Sequence, residues 1–149
     1  MELLPIQPQP DQNREFAANP LCVASLPMTL DFYKRVGFQP PWISYYAQVD
    51  GELAGAAGFK GKPLNNRVEI AYGVFEPYQN KGIGAQICRR LVALSLATDP
   101  SVRITARTLP GNNFSARLLQ KNGFVLLGTV QDPEDGEVWE WEYQLKQEP

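Results

Sequence analysis

The residues between 68 and 85 combine a strand pattern, a glycine-spaced loop and the start of an apolar helix. The loop reads Gln79-Asn80-Lys81-Gly82-Ile83-Gly84. Glycine lets the backbone turn and approach a ligand, while the unpaired amides and the dipole at a helix start favour a phosphate or pyrophosphate. The segment therefore predicts an anion site held by main-chain N–H groups.

The strand before this loop carries a single carboxylate beside unusually small residues. One face holds Val68, Ile70, Tyr72 and Val74, and the other holds Glu69, Ala71, Gly73 and Phe75. Alanine and glycine are poor strand formers, so they predict an open strip next to Glu69. This arrangement suits a molecule that lies against the strand next to Glu69. The alternative is a solvated strand carboxylate or an ion-pair partner of Arg67 or Arg103.

The composition narrows the possible chemistry. The chain has 149 residues, a net charge of −2, two cysteines and no histidine. Without histidine, Ser-His-Asp and Cys-His nucleophiles are excluded, and no metal site is expected. The scattered charge argues against nucleic-acid binding, and the lack of a long apolar run argues against a membrane segment. We expect a single domain over residues 1–149, in the cytoplasm, with Cys88 buried in a helix.

Periodicity and turn residues predict the remaining elements. Helices are predicted over 11–18, 28–36, 82–98 and 112–122, and strands over 42–49, 52–59, 68–75, 102–107, 124–130 and 137–145. Residues 1–10 fit an edge strand or a loose arm. Asp50-Gly51 predicts a hairpin turn, Gly37 and Gly123 end helices, and Asp11 and Asn112 are the predicted N-caps. This order indicates a mixed sheet flanked by helices.

The loop and its surroundings resemble the GNAT superfamily of N-acetyltransferases. The loop is similar to the family's acyl-CoA pyrophosphate loop, and Asn112-Asn113-Phe114-Ser115 with Gly123-Phe124 follow at the family's spacing. Two other glycine-rich motifs are excluded. A dinucleotide fingerprint would need glycine where Ile87 stands, and a P-loop would need Gly-Lys-Ser/Thr, which is absent. The resemblance implies an α/β fold of the α+β type. Its central sheet is expected to be seven-stranded, mostly antiparallel, flanked by about four helices, and splayed beside the fourth strand.

The same resemblance implies acetyl-CoA as co-substrate and a primary amine of a small molecule, peptide or protein as acceptor. The implied cofactor-binding residues are Val74 and Phe75 for the thioester, Gln79, Asn80, Lys81, Gly82, Ile83, Gly84 and Ala85 for the pyrophosphate, and Asn112 for the pantetheine. Glu69 matches a catalytic glutamate of several members. An amine with a pKa of about 10.4 must lose a proton before it can act as a nucleophile, so Glu69 is the candidate base. Ser115 matches a polar donor position, although a first-turn hydroxyl often bonds its own helix. Leu119 stands where many members carry a tyrosine acid.

The sequence leaves other interpretations open. The hairpin most resembles the branch of ribosomal-protein N-terminal acetyltransferases, and a homodimer is possible. An acyl-CoA-binding regulatory module without turnover is the main alternative. Residues 29–38 also look like a helix ending of glyoxalase-type domains, which normally use histidine ligands. A group of aromatic residues could line an acceptor pocket or pack the core: Trp42, Tyr45, Tyr46, Phe59, Trp139, Trp141 and Tyr143.

Overall fold

A computed structural model describes residues 1–144 of the chain. The strands are β1 (Glu2–Pro5), β2 (Ser44–Val49), β3 (Glu52–Phe59), β4 (Arg67–Val74), β5 (Arg103–Thr108), β6 (Phe124–Asp132) and β7 (Gly136–Tyr143). The helices are α1 (Arg14–Ala17), α2 (Ser25–Val36), α3 (Ile83–Thr98) and α4 (Phe114–Lys121). Short 3-10 turns cover Pro10–Gln12 and Glu76–Tyr78. None of the helices within residues 1–144 has the length and apolar character needed to span a bilayer.

The seven strands form one mixed sheet in the order β1-β2-β3-β4-β5-β7-β6. Only β4 and β5 run parallel among these neighbours; the other pairs are antiparallel. The fold class predicted from the sequence is therefore confirmed, and residues 1–144 contain the seven strands and four α-helices that were expected. The N-terminal segment is the predicted edge strand, because β1 pairs with β2.

Local turn chemistry explains two of the element boundaries. Asp50 and Gly51 both adopt positive φ, 51° and 79°, as a tight hairpin turn between β2 and β3 requires. Gly37 ends α2 with φ 91°, and its N–H donates to Tyr33 O at 2.8 Å. Phe38 then packs edge-on against Tyr33, with ring centroids 5.3 Å apart. The predicted helix stop is confirmed.

The first two predicted helices differ from the helices in the structure. The N-terminal helix is split in two, and Asp11 caps neither half, because the buried Asn13 side chain bonds the backbone of Gln7 and Gln9 at this point. Helix α2 begins at Ser25 rather than Met28, since Pro27 is tolerated in a first turn and Leu26 is buried. The predicted end of the last strand, Leu145, lies outside the described residues.

The core lies between the sheet and its helices. Helix α3 buries Ile83, Ile87 and Leu91 on one face, as the apolar period predicts. Most of the candidate pocket aromatics are core residues, since the following are buried: Tyr45, Tyr46, Phe59 and Trp141. Trp42 and Trp139 are only partly buried. Cys88 is buried as predicted, and burial raises the pKa of its thiol to about 11.

Strands β4 and β5 diverge after a short paired segment. Their register pairs are Arg67 with Arg103, Val68 with Ile104 and Glu69 with Thr105. The Thr105 hydroxyl also donates to Val68 O at 3.1 Å. Beyond Glu69, β4 continues to pair with β3 while β5 pairs with β7. The sheet therefore opens into a fork, and Glu69 stands where the fork begins.

Candidate active site

The loop between β4 and α3 presents a row of main-chain donors. Asn80 and Gly82 adopt positive φ, 65° and 76°, which aspartate, asparagine and glycine tolerate better than other residues. The six consecutive amides from Asn80 to Ala85 have no hydrogen-bond acceptor within residues 1–144. A helix start and a turn with successive free N–H groups form an anion-binding concavity. The loop therefore has the donors that a diphosphate requires.

The glycines of this region have different tasks. A Cβ added at Gly82 or Gly73 would meet no atom within 4 Å, so both positions lie beside open space. A Cβ at Gly84 would stand 3.1 Å from Leu118 Cδ1. Gly84 therefore also lets α3 pack closely against α4, a packing role that the loop pattern did not reveal. Gly82 supplies the left-handed turn.

The end of β4 directs one amide into the fork. Phe75 N–H donates to Ala54 O of β3 at 2.9 Å, so this amide is not available to a ligand. Successive N–H groups of a strand point to opposite edges, and the Val74 amide therefore faces β5 across the fork. The Gln79 side-chain amide donates to Val74 O at 3.2 Å and braces the loop against the strand. Within the predicted pair, Val74 is thus the main-chain donor.

Glu69 lies on the open face of β4, but it is not alone there. Lys60 Nζ lies 2.7 Å from Glu69 Oε2, and Arg107 Nε lies 3.7 Å from Oε1. The side chain of Glu69 keeps 19% of its surface exposed. The ion pair of Glu69 with Arg67 or Arg103, which the sequence left open, is wrong. Arg67 reaches Glu140 instead, and Arg103 pairs with Glu142.

Arg107 connects Glu69 to a wider set of charges. Its guanidinium donates to Asp132 at 3.0 Å and to Glu140 at 3.2 Å. Backbone N–H groups of Glu134 and Asp135, together with Arg107, hold the pKa of Asp132 at about 2. Glu140 and Glu142 of β7 are therefore matched by arginines from β4 and β5, instead of facing solvent alone.

The N-cap of helix α4 lies one residue later than predicted. Asn113, not Asn112, is the N-cap, since its Oδ1 accepts from Ala116 N at 2.9 Å. Asn112 is exposed, which leaves its side chain accessible to a ligand. Ser115 is also exposed, and within residues 1–144 its hydroxyl forms no hydrogen bond. The alternative in which Ser115 bonds its own helix is thus not what the described structure contains.

Candidate proton donors are few near the fork. Leu119 is buried and has no proton to give. Burial raises the pKa of the Tyr72 phenol above its ordinary value, and a hydrogen bond to Glu52 raises that of Tyr78. The Tyr78 hydroxyl donates to Glu52 at 2.7 Å. Lys81 is exposed, with its ammonium 5.7 Å from the centre of the Tyr78 ring. No group of three metal-ligating side chains occurs in the described part of the chain.

Sequence reasoning missed Lys60 and Arg107 as neighbours of Glu69. One signal was available in the sequence: basic residues recur on one face of β5 and acidic residues on one face of β7. Arg103 pairs with Glu142, and Arg107 pairs with Glu140. That signal becomes readable only when β7 is known to lie next to β5.

The fold and this site together define the class of protein. Residues 3–125 match the acetyltransferase (GNAT) domain, and the chain therefore belongs to that family. The resemblance found in the loop and its flanking motifs is confirmed.

Two relatives come from Bacillus subtilis strain 168. YjdG, an uncharacterized N-acetyltransferase, is 33% identical over 76 residues, covering 50% of this chain and 45% of YjdG. YdaF, whose name proposes a ribosomal N-acetyltransferase, is 25% identical over 131 residues, covering 81% of this chain and 71% of YdaF. The name of YdaF points to the branch that the hairpin indicated.

Among solved structures, the chain is similar to AAC(6')-Ib in complex with ribostamycin and coenzyme A. The TM-score is 0.59 at 27% identity, covering 68% of this chain and 63% of that one. The matched segment is thus less than two thirds of both AAC(6')-Ib and YjdG.

Proposed function

We propose that the protein is an acyl-CoA-dependent N-acetyltransferase. It transfers the acetyl group of acetyl-CoA directly to a primary amine of a small molecule, peptide or protein. The observation that carries this proposal is the row of six unpaired amides from Asn80 to Ala85, placed where β4 leaves the fork. Family membership supports the same reading.

The residues present fit an acyl-CoA molecule. The amides from Asn80 to Ala85, with the helix dipole of α3 and the exposed Lys81, suit a diphosphate. The open side of Gly73 leaves space along β4 for a pantetheine arm, which Asn112 would contact from the loop before α4. Acetyl-CoA supplies an activated thioester with a good leaving group.

Each remaining residue has one proposed role. Glu69 accepts a proton from the acceptor ammonium, directly or through water. The Val74 amide donates to the carbonyl oxygen as negative charge develops on it, and one such donor is worth about 3 kcal/mol of barrier elsewhere. Phe75, whose amide is bonded to β3, contributes to the thioester site through its side chain. Ser115 is the candidate donor to the departing thiolate.

An acyl-CoA-binding module without turnover is the second candidate. Two observations favour it: Leu119 is buried where a tyrosine acid would stand, and Lys60 occupies one oxygen of Glu69. Calorimetry with acetyl-CoA, followed by a thiol-release assay over a panel of amines, separates the two. We expect saturable binding and amine-dependent thiol release. Binding without release for every amine would establish the module, and no binding would contradict both.

A further inference from the structure

The charged face around Glu69 carries as many positive as negative side chains, but its cations are more exposed than its carboxylates. It contains four cations, Lys60, Arg67, Arg103 and Arg107, and four carboxylates, Glu69, Asp132, Glu140 and Glu142. The side chains of Lys60, Arg67 and Arg103 are between 39% and 49% exposed, while all four carboxylates are between 8% and 19% exposed. A molecule approaching this face therefore meets cations first.

Lys60 already occupies the place that an acceptor amine needs. Its ammonium lies 2.7 Å from Glu69, the distance of a charge-assisted hydrogen bond. For an acceptor ammonium to reach Glu69, Lys60 must move away from that carboxylate. Lys60 then keeps a positive charge beside Arg67, which lies two residues before Glu69 on the same face of β4. An incoming cation alone would add a further positive charge to this group.

A zwitterion avoids this problem. Its ammonium replaces Lys60 at Glu69, and its carboxylate takes the released Lys60 ammonium. Each original charge pair is exchanged for a new one, and no charge is left without a partner. A polyamine or an aminoglycoside offers no anionic group for Lys60 and meets the exposed guanidinium groups as a like charge.

We propose that the acceptor is a small zwitterionic amine of the amino-acid class, with its carboxylate held by Lys60 near Arg67. This rests on the proposed acetyltransferase function. The amine nitrogen forms a bond to the acetyl carbon, and the carbon–sulfur bond of the thioester breaks. One proton of the ammonium passes to Glu69 and on to solvent. A second proton leaves the nitrogen as the amide forms and balances the protonation of the thiolate, so that coenzyme A leaves as its thiol.

Matched acceptors test the proposal. Thiol release is measured with acetyl-CoA and the standard amino acids, their carboxamides and their decarboxylated amines, together with spermidine and ribostamycin. At least one amino acid should exceed its carboxamide and its decarboxylated amine by about tenfold or more in kcat/KM, the value of one charge-assisted hydrogen bond. Both polycations should be poorer than that amino acid.

The variant Lys60→Met isolates the carboxylate contact. It should raise KM for the preferred amino acid about tenfold, with little change in kcat, and leave the carboxamide within about twofold. Lys62→Met is the control, because Lys62 is an exposed lysine of the same loop and has no ion-pair partner within residues 1–144. Lys62→Met should leave KM and kcat unchanged for both the amino acid and its carboxamide.

Three results overturn the proposal. They are a carboxamide or polycation used as well as any amino acid, turnover of other amines but of no amino acid, and an equal effect of Lys60→Met on the acid and the amide. Acetyl-CoA binding without thiol release for any amine would instead contradict the proposed function, so the two failures are distinguishable.

Discussion

Glu69 is held between a lysine and an arginine, and this setting determines how it can work as a base. The Lys60 contact of 2.7 Å is short, and the Arg107 contact of 3.7 Å is loose. Lys60 is also the more exposed partner, at 45% against 26% for Arg107. Because solvent screens an exposed ion pair, Lys60 can leave Oε2 at a small cost despite the short contact, while the less exposed Arg107 remains beside Oε1.

Replacing Glu69 by glutamine should impair turnover without weakening acetyl-CoA binding. We expect kcat/KM at neutral pH to fall about 100-fold, the lower range for loss of a general base. Part of the loss should be recovered in alkali, where the amine deprotonates without help. Stopped assays over a pH series and calorimetry measure the two effects. Glu137→Gln, on the exposed part of β7, is the control; equal rates for wild type and Glu69→Gln would remove Glu69 from the mechanism.

Asp132 should stabilise the fold in a pH-dependent manner. Its pKa of about 2 lies below the ordinary value of 3.8, so the folded state favours the ionised form. The stabilisation is complete above about pH 4 and is lost as the pH falls towards 2. Asp132→Asn should therefore lower the free energy of unfolding at pH 7, and the difference from wild type should shrink between pH 4 and 2. Urea unfolding measures it.

The exposed Asp135→Asn is the matched control for that series, and it should track wild type at every pH. A gap between wild type and Asp132→Asn that stays constant from pH 7 to 2 would mean that the ion pair and backbone bonds of Asp132 do not depend on its charge.

At the scale of elements, the start of α4 shows how closely a sequence can place a cap. Two adjacent asparagines give the same signal, and only the packing of Ala116 and Leu119 against the core fixes which one caps the helix. Asn113→Ala should lower the free energy of unfolding by about 1 kcal/mol. Asn112→Ala should change it far less. Equal losses, measured by urea unfolding, would contradict the assigned cap.

The two glycines on facing strands should respond to substitution in opposite ways. A Cβ at Gly73 enters open space, whereas a Cβ at Gly55 would stand 2.5 Å from Gly73 O. Gly73→Val should therefore leave the melting temperature nearly unchanged, since valine is a good strand former, and weaken acetyl-CoA binding about tenfold or more. Gly55→Ala should destabilise the fold by about 1–3 kcal/mol.

Thermal unfolding and calorimetry on both glycine variants check this prediction. If Gly73→Val binds acetyl-CoA as tightly as wild type, the strip along β4 is not where the co-substrate lies.

Features set by the backbone preferences of a few neighbouring residues were predictable from the sequence. Features set by tertiary contacts were not. The Asp50-Gly51 turn and the Gly37 helix stop follow from backbone preferences of a few residues, so the sequence placed them correctly. The helix predicted over 11–18 is wrong because the Asn13 side chain bonds the backbone of Gln7 and Gln9, and apolar periodicity does not reveal such a contact.

At the scale of the whole molecule, the fork in the sheet creates the site. Strands β4 and β5 pair over three residues each, and β7 pairs with the other edge of β5. Neither strand contains a residue pattern that predicts where they separate, so the splay was expected only from the family resemblance. The charged face has the same origin, because Glu140 meets Arg67 and Arg107 through strands that are distant in sequence.

The central claim is that the amides between Asn80 and Ala85 hold the diphosphate of coenzyme A. Amide chemical shifts of ¹⁵N-labelled protein, titrated with coenzyme A and separately with pantetheine, test it most directly. We predict saturable shifts of these six amides with coenzyme A, and none at the same positions with pantetheine, which has no diphosphate. Unchanged shifts of these amides at saturating coenzyme A would contradict the account.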